Sequence, residues 1–257
     1  MVSTFVSYSL IVDDLAGSLE RIAREPLVAR ESAYFLANFA GIGSLDDFLG
    51  DHRLVSYALA AYELDEFAYD TDVVRRLLSE NTADADSLAN RYSDSRYRDF
   101  AAAFDFARPG GIAMAARAGT VEKYVRRCLE DEAGAQNEGT RLALYFERRA
   151  PGIDNAFQVL ADPGLLTVIR TALGLSSSPT TADIDRQAAT LESHVAFADF
   201  KDRVKLRAFI RRFAALWDLA HPPDTTASTQ IEAGRTTQTW LDAGVLSTLQ
   251  DLKLGTG

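Results

Sequence analysis

"LGDHRLVSYALAAYEL" runs from Leu49 to Leu64, and "LADPGLLTVIRTALGL" runs from Leu160 to Leu175. Each places an aspartate, Asp51 or Asp162, just ahead of an apolar run. That is where a helix N-cap sits, with its carboxylate accepting from first-turn N–H groups. In the first stretch Leu54, Tyr57, Ala58, Ala61 and Tyr62 recur at helical spacing, which predicts one buried face. At an offset of 111 positions Asp51 falls on Asp162, Leu54 on Leu165, Val55 on Leu166 and Ser56 on Thr167. Tyr57 then falls on Val168, Ala61 on Ala172 and Leu64 on Leu175. Further out, Asp94, Tyr97, Phe100 and Phe104 answer Asp202, Leu206, Phe209 and Phe213 with one residue inserted. The matched order of segments over about 45–106 and 154–218 reads as an internal repeat of helical modules.

The surrounding sequence is helical as well. "EPLVARESAYFLANFAGIG" places Leu27, Ala33, Tyr34, Ala37 and Phe39 near one side, with Pro26 near the helix start and Gly41 near its stop. Val73, Val74, Leu77 and Leu78 form a shorter stripe. A long helix is expected over about 120–149. Val121, Tyr124, Val125, Cys128 and Leu129 begin its stripe, Leu142, Tyr145 and Phe146 end it, and Pro151 and Gly152 stop it. Asp183 is a candidate cap for a later helix or a residue of its first turn. Leu206, Phe209, Ile210, Phe213 and Trp217 share a face of the one after that. No stretch sustains a period of two, and no hairpin turn joins two β-rich runs. The expected fold is all-α: a body over 1–220 with two related modules bridged by a long central helix.

From 221 to 239 the text is rich in Pro, Thr and Ser, and too poor in apolar residues to offset chain ordering, so it reads as a flexible linker. An amphipathic helical pattern returns over 240–257, with Trp240, Leu241, Val245 and Leu249 on its stripe. This is expected to be a docking helix that folds back or reaches a partner.

Composition narrows the function. The chain has 257 residues and a net charge of −10, which disfavours nucleic acid as a partner. The basic run "KDRVKLRAFIRR", Lys201 to Arg212, reads as the solvated flank of an amphipathic helix. No apolar run approaches the roughly 20 residues that span a bilayer. The N-terminus has no basic n-region and meets Asp13 and Asp14, so no cleavable signal is read. The lone cysteine, Cys128, forms no internal disulfide and reads as a core residue. His52, His194 and His221 lie far apart, without the short ligand spacing of a zinc or iron site. Neither a nucleophile elbow nor a phosphate loop is present. No catalytic residue, metal or cofactor is expected.

The most unusual stretch is "LEDEAGAQNEGTRL", Leu129 to Leu142. Gly134 and Gly139 each cost roughly 1 kcal/mol against Ala inside a helix. That cost points to close approach of another helix or to a break. Gln136, Asn137, Glu138 and Arg141 are candidates for binding a partner or ligand. A buried hydrogen-bond and ion-pair network holding the long helix between the modules is the structural alternative.

The stretches "DDFLGDHRLVSYAL", "SDSRYRDFAAAFDF", "EDEAGAQNEGTRLALYFERRAP", "DIDRQAA" and "RFAALWD" together resemble the family called domain of unknown function 1217. The resemblance covers nearly all of the chain up to about Asp218, and "AGAQNEGTRLALYFERRAP" is its most specific part. It implies an alphaproteobacterial protein of flagellar gene neighbourhoods, with no established catalytic residues. The expectation is a non-enzymatic adaptor or assembly factor with a flagellar or other protein partner, cytoplasmic or flagellum-associated. The competing expectation is a small-molecule sensor or enzyme using the polar belt at 130–141.

Overall fold

The computed structural model describes residues 2–106, 114–175 and 183–222. The expected linker, from residue 223 on, and the expected docking helix with Trp240, Leu241, Val245 and Leu249 lie outside the described residues. By its contacts the chain divides into a unit over Val2–Asp218 and a second holding Met1 and Leu219–Gly257. Of the second, only 219–222 are described, and they carry the end of the last helix.

The fold is all-helical, as expected. In chain order the helices are α1 (Thr4–Asp13), α2 (Leu15–Ala23), α3 (Pro26–Phe39), α4 (Leu45–Gly50) and α5 (His52–Ala61). Next come α6 (Thr71–Ser79), α7 (Leu88–Arg91), α8 (Ser95–Ala103), α9 (Met114–Gln136) and α10 (Glu138–Arg149). The last are α11 (Ala156–Leu160), α12 (Pro163–Leu173), α13 (Ile184–His194) and α14 (Arg203–Ala220).

Asp51 and Asp162 are the N-caps read from the sequence. Asp51 accepts from the N–H groups of Arg53 and Leu54, and Asp162 from that of Leu165 at 3.0 Å. Each fixes the start of a helix whose apolar stripe enters a core. The α5 stripe is buried as read: Leu54, Tyr57, Ala58, Ala61 and Tyr62 are all inside. The expected face of α3 is corrected. Leu27 is 58% exposed and Ala33 and Ala37 face water, while Val28, Ser32, Phe35 and Phe39 are buried. Two large rings decide the rotation. Phe35 stacks on Tyr57 at 4.6 Å and Phe39 meets Phe48 and Phe104 edge-on. Burying two phenyl rings outweighs leaving Leu27 in water.

Two separate apolar cores result. One gathers α3 to α8 around Phe35, Phe48, Leu59, Leu77, Phe100 and Phe104. The other gathers α10 to α14 around Leu144, Phe146, Val168, Ile169, Ile210 and Phe213, and takes Tyr8 from α1. A small third cluster, Ile22, Val28, Val125 and Leu129, sets α2 and α3 against α9.

The helix expected over 120–149 is the bridge between these cores, and it is built in two pieces. α9 packs on α5 and α3, and α10 packs on α12 and α1. Asn137 stands between them, extended, and its side chain accepts from the Thr140 N–H at 3.2 Å as the α10 cap. The two glycines have different neighbours. A Cβ on Gly139 would lie 2.3 Å from the Trp217 ring and 2.7 Å from Thr4 Oγ1. Its bareness lets α1, α10 and α14 meet. A Cβ on Gly134 would lie nearest the Arg141 side chain, with its Cδ at 2.8 Å.

Candidate functional site

The belt at 130–141 divides into an inner and an outer set. Outward, Gln136 is exposed, and Glu138 forms an ion pair with Arg141 on the surface of α10. Asn137 is occupied as a cap and by Thr4 Oγ1 at 3.2 Å. Gln136 and Asn137 border a small groove of about 310 Å³ beside α1, while Glu138 and Arg141 do not. The four residues are therefore not gathered around one pocket.

Inward, Glu130 enters a chain of alternating charges between the two cores. It is 3% exposed and accepts from Arg126 Nε at 2.9 Å and from both Nε and Nη2 of Arg148, each at 2.9 Å. Arg148 Nη2 also donates to Glu63 at 2.6 Å. Arg126 continues the chain towards Glu147 at 3.5 Å. Burial works to lower the basicity of Arg148, but its bonds and charge contacts with Glu130 and Glu63 prevail and hold it firmly protonated. On the far side Arg96 donates to the Glu63 carbonyl and to Asp94, both at 2.7 Å. Arg149 then lies 3.5 Å from Asp94 and 4.0 Å from Asp162. Tyr145 closes the line with a bond to the buried Asp162 carboxylate. Burial, and then the charges of Asp162 and Glu63, push the Tyr145 phenol well up.

Such a network suits the structural alternative for the belt: each buried charge has an opposite neighbour, which burial requires. Glu63 holds a left-handed backbone at φ 58° while serving the network with both its carboxylate and its carbonyl. Sequence reading gave Glu63, Arg96 and Arg149 no role. No local pattern marks them, because their partners are distant in the chain.

α1 presents a different kind of surface. Ser3 caps it, and the Asp218 carboxylate accepts from the Thr4 N–H at 3.0 Å, placing a negative group at the positive end of the helix. Thr4 and Tyr8 are buried, and Phe5, Ile11 and Val12 are half-buried. Burial, with help from the Glu147 charge, pushes the Tyr8 phenol up. The opposite side of the helix is also apolar. Val6 and Leu10, spaced four apart, are 48% and 68% exposed, and Val2, just ahead of the Ser3 cap, is 57% exposed. An amphipathic surface helix would carry polar residues there.

Cys128 is half-buried, and burial pushes its thiol up, away from reactivity. Among the described residues no group of His, Cys, Asp and Glu is placed to hold a metal, and no helix is long and apolar enough to cross a membrane.

Comparison with known proteins adds a family. The model of the family described as "Protein of unknown function (DUF1217)" matches residues 61–206. A protein from Agrobacterium tumefaciens, solved by X-ray crystallography, is similar in structure with a TM-score of 0.76 and 40% sequence identity. The similarity covers 86% of this chain and 98% of that one. No curated protein matches the chain.

Proposed function

We propose, on the premise that the chain belongs to the DUF1217 family of proteins of unknown function, that it is a non-enzymatic flagellar adaptor or assembly factor acting through protein–protein contacts. The exposed apolar row Val2, Val6 and Leu10 carries the protein-contact part. Covering three such side chains contributes on the order of a few kcal/mol to an interface, enough to make α1 the centre of one. The inner belt supports a non-enzymatic reading, because its charged groups are engaged with each other. The flagellar setting rests on the resemblance to a family whose members accompany flagellar genes, and the Agrobacterium relative fits that distribution.

Deleting the gene in its host and imaging flagella tests the setting. The expected result is fewer or absent filaments and lost swimming, both restored by the gene supplied in trans. Wild-type filament number and swimming in the deletion strain would overturn the flagellar role.

A further inference from the structure

A groove of about 740 Å³ opens between α1, α10 and α14. Val12, Leu15, Pro151, Val204 and Leu206 contribute apolar walls. Arg126 and Arg148 sit at its base, fixed by Glu130, with Glu147 beside them. Arg203, Arg207 and Arg211 of α14 line its edge at intervals of four residues. The row spans about 12 Å, one arginine per turn.

These edge arginines are unusual in so acidic a chain. Like charges four apart on a helix repel one another. Arg207 reaches Asp13 at 3.0 Å in an exposed pair, whereas Arg211 lies over the Phe5 ring at 5.0 Å. Among the described residues neither Arg203 nor Arg211 has a carboxylate partner. Glu147, the carboxylate within the groove, is already met by Arg126 at 3.5 Å. The groove therefore offers positive charge along one edge and apolar surface along its walls, on a protein of net charge −10.

We infer that this groove binds an acidic amphipathic segment of a partner protein, its Asp or Glu side chains meeting the Arg203–Arg207–Arg211 row and its apolar side chains meeting Val12, Leu15 and Val204. Carboxylates one helical turn apart match the spacing of the row, and arginine takes carboxylates in a two-pronged fork. A simple inorganic anion would leave the apolar walls unused. A nucleic acid would face repulsion from the acidic chain as a whole. The inference rests on the protein-contact reading for its class of ligand. It needs neither the flagellar setting nor the α1 row.

Fluorescence anisotropy with the full chain makes the test. The probe is a labelled helical peptide of about twelve residues, with Leu and Phe on one face and Glu beside them at four-residue spacing. The expected result is saturable binding, weaker at high salt. It should fall about tenfold or more in Arg203→Glu/Arg211→Glu, whose side chains are exposed and whose circular dichroism and Tm should match wild type. A Val204→Asp variant should weaken it independently. No binding of the peptide overturns the inference. So does equal binding of a scrambled peptide of the same composition, competition by inorganic phosphate as effective as by unlabelled peptide, or tighter binding of a single-stranded oligonucleotide. A peptide that binds as expected, beside a deletion strain that swims normally, would retain the groove and remove the flagellar setting. Failure of the peptide beside a non-motile deletion strain would do the reverse.

Discussion

The α3–α5 region and the α10–α12 region share a design at an offset of 111 positions, and they differ in what surrounds it. Tyr34 of α3 donates to Asp51, the cap of α5, at 2.8 Å. Tyr145 of α10 donates to Asp162, the cap of α12. Ser44 and Asn155 cap the short helices between them. After α5 and α12 the chain turns through a left-handed residue, Glu63 at φ 58° in one case and Gly174 at φ 69° in the other. Three kinds of detail recur in register: the tyrosine–aspartate bond, the caps and the left-handed turn. They support the proposal that the two regions are copies of one module. Their environments differ. The Tyr34–Asp51 bond is near the surface, whereas Asp162 is 2% and Tyr145 is 5% exposed. Gly174 takes the left-handed turn without steric cost. Glu63 takes it at roughly 1 kcal/mol or more, and its carboxylate reaches Arg148 at 2.6 Å. The difference teaches that the turn after α5 links the two cores through charge, whereas the turn after α12 carries no side chain to do so.

The largest effect is expected at the centre of that charge chain. Glu130→Ala leaves Arg126 and Arg148 without their shared carboxylate and should cost about 3–5 kcal/mol in chemical denaturation. Glu132→Ala removes the partner of the half-exposed Arg21 and should cost far less, since solvent screens that pair. Similar losses from both would show that the chain does not hold the cores together.

The paired tyrosines come next. Tyr145→Phe should cost about 2 kcal/mol, because it strips a hydrogen bond from a buried carboxylate. Tyr34→Phe should leave stability close to wild type. Equal costs would mean that the two bonds have not diverged in worth.

The two turns give a smaller contrast. Gly174→Ala should lose about 1 kcal/mol through backbone strain alone. Glu63→Gly relieves comparable strain but removes the Arg148 partner, so it should still destabilise. A stabilised Glu63→Gly would show that the ion pair does not repay its backbone.

The last contrast vanishes at neutral pH. Tyr8, Tyr57 and Tyr145 are all held protonated by burial, their phenols raised above the ordinary value. A raised folded value gives stability that is complete below the unfolded phenol range, near pH 10, and fades as pH climbs towards the folded values. Thermal melts should therefore hold steady up to about pH 9 and fall above about pH 10. Tyr145→Phe should flatten that fall more than Tyr34→Phe, because burial raises the Tyr145 phenol while the Tyr34 phenol, nearer water, is raised first by its bond to Asp51.

Much of the fold was legible because its signals are local. An aspartate before an apolar stripe announces α5 and α12, and the order of stripes announces an all-helical chain with an internal echo. The α3 face was misread because its rotation is set by Tyr57, Phe48 and Phe104, which lie outside that helix. The Tyr34 and Tyr145 partnership lay just ahead of the segments matched in sequence, where apolar pattern alone gives no reason to extend the match. Within the belt, the two glycines signalled a break or a close approach, and the structure has a break at Asn137 and a close approach at Gly139. The charge chain was only partly legible: Glu130 lay in the polar belt at 130–141, but Glu63, which bonds Arg148, lies 85 residues from it. The exposed side of α1 was hidden as well, since an apolar helix is ordinarily read as wholly buried.

Complementation of the deletion strain with Val6→Glu/Leu10→Glu protein tests the proposed contact surface most directly. Both positions are exposed, so the purified variant should keep the wild-type Tm and should accumulate in cells to the wild-type level. The expected result is a folded protein that fails to restore swimming where the wild-type gene restores it. Full swimming from the folded variant would contradict the role given to α1.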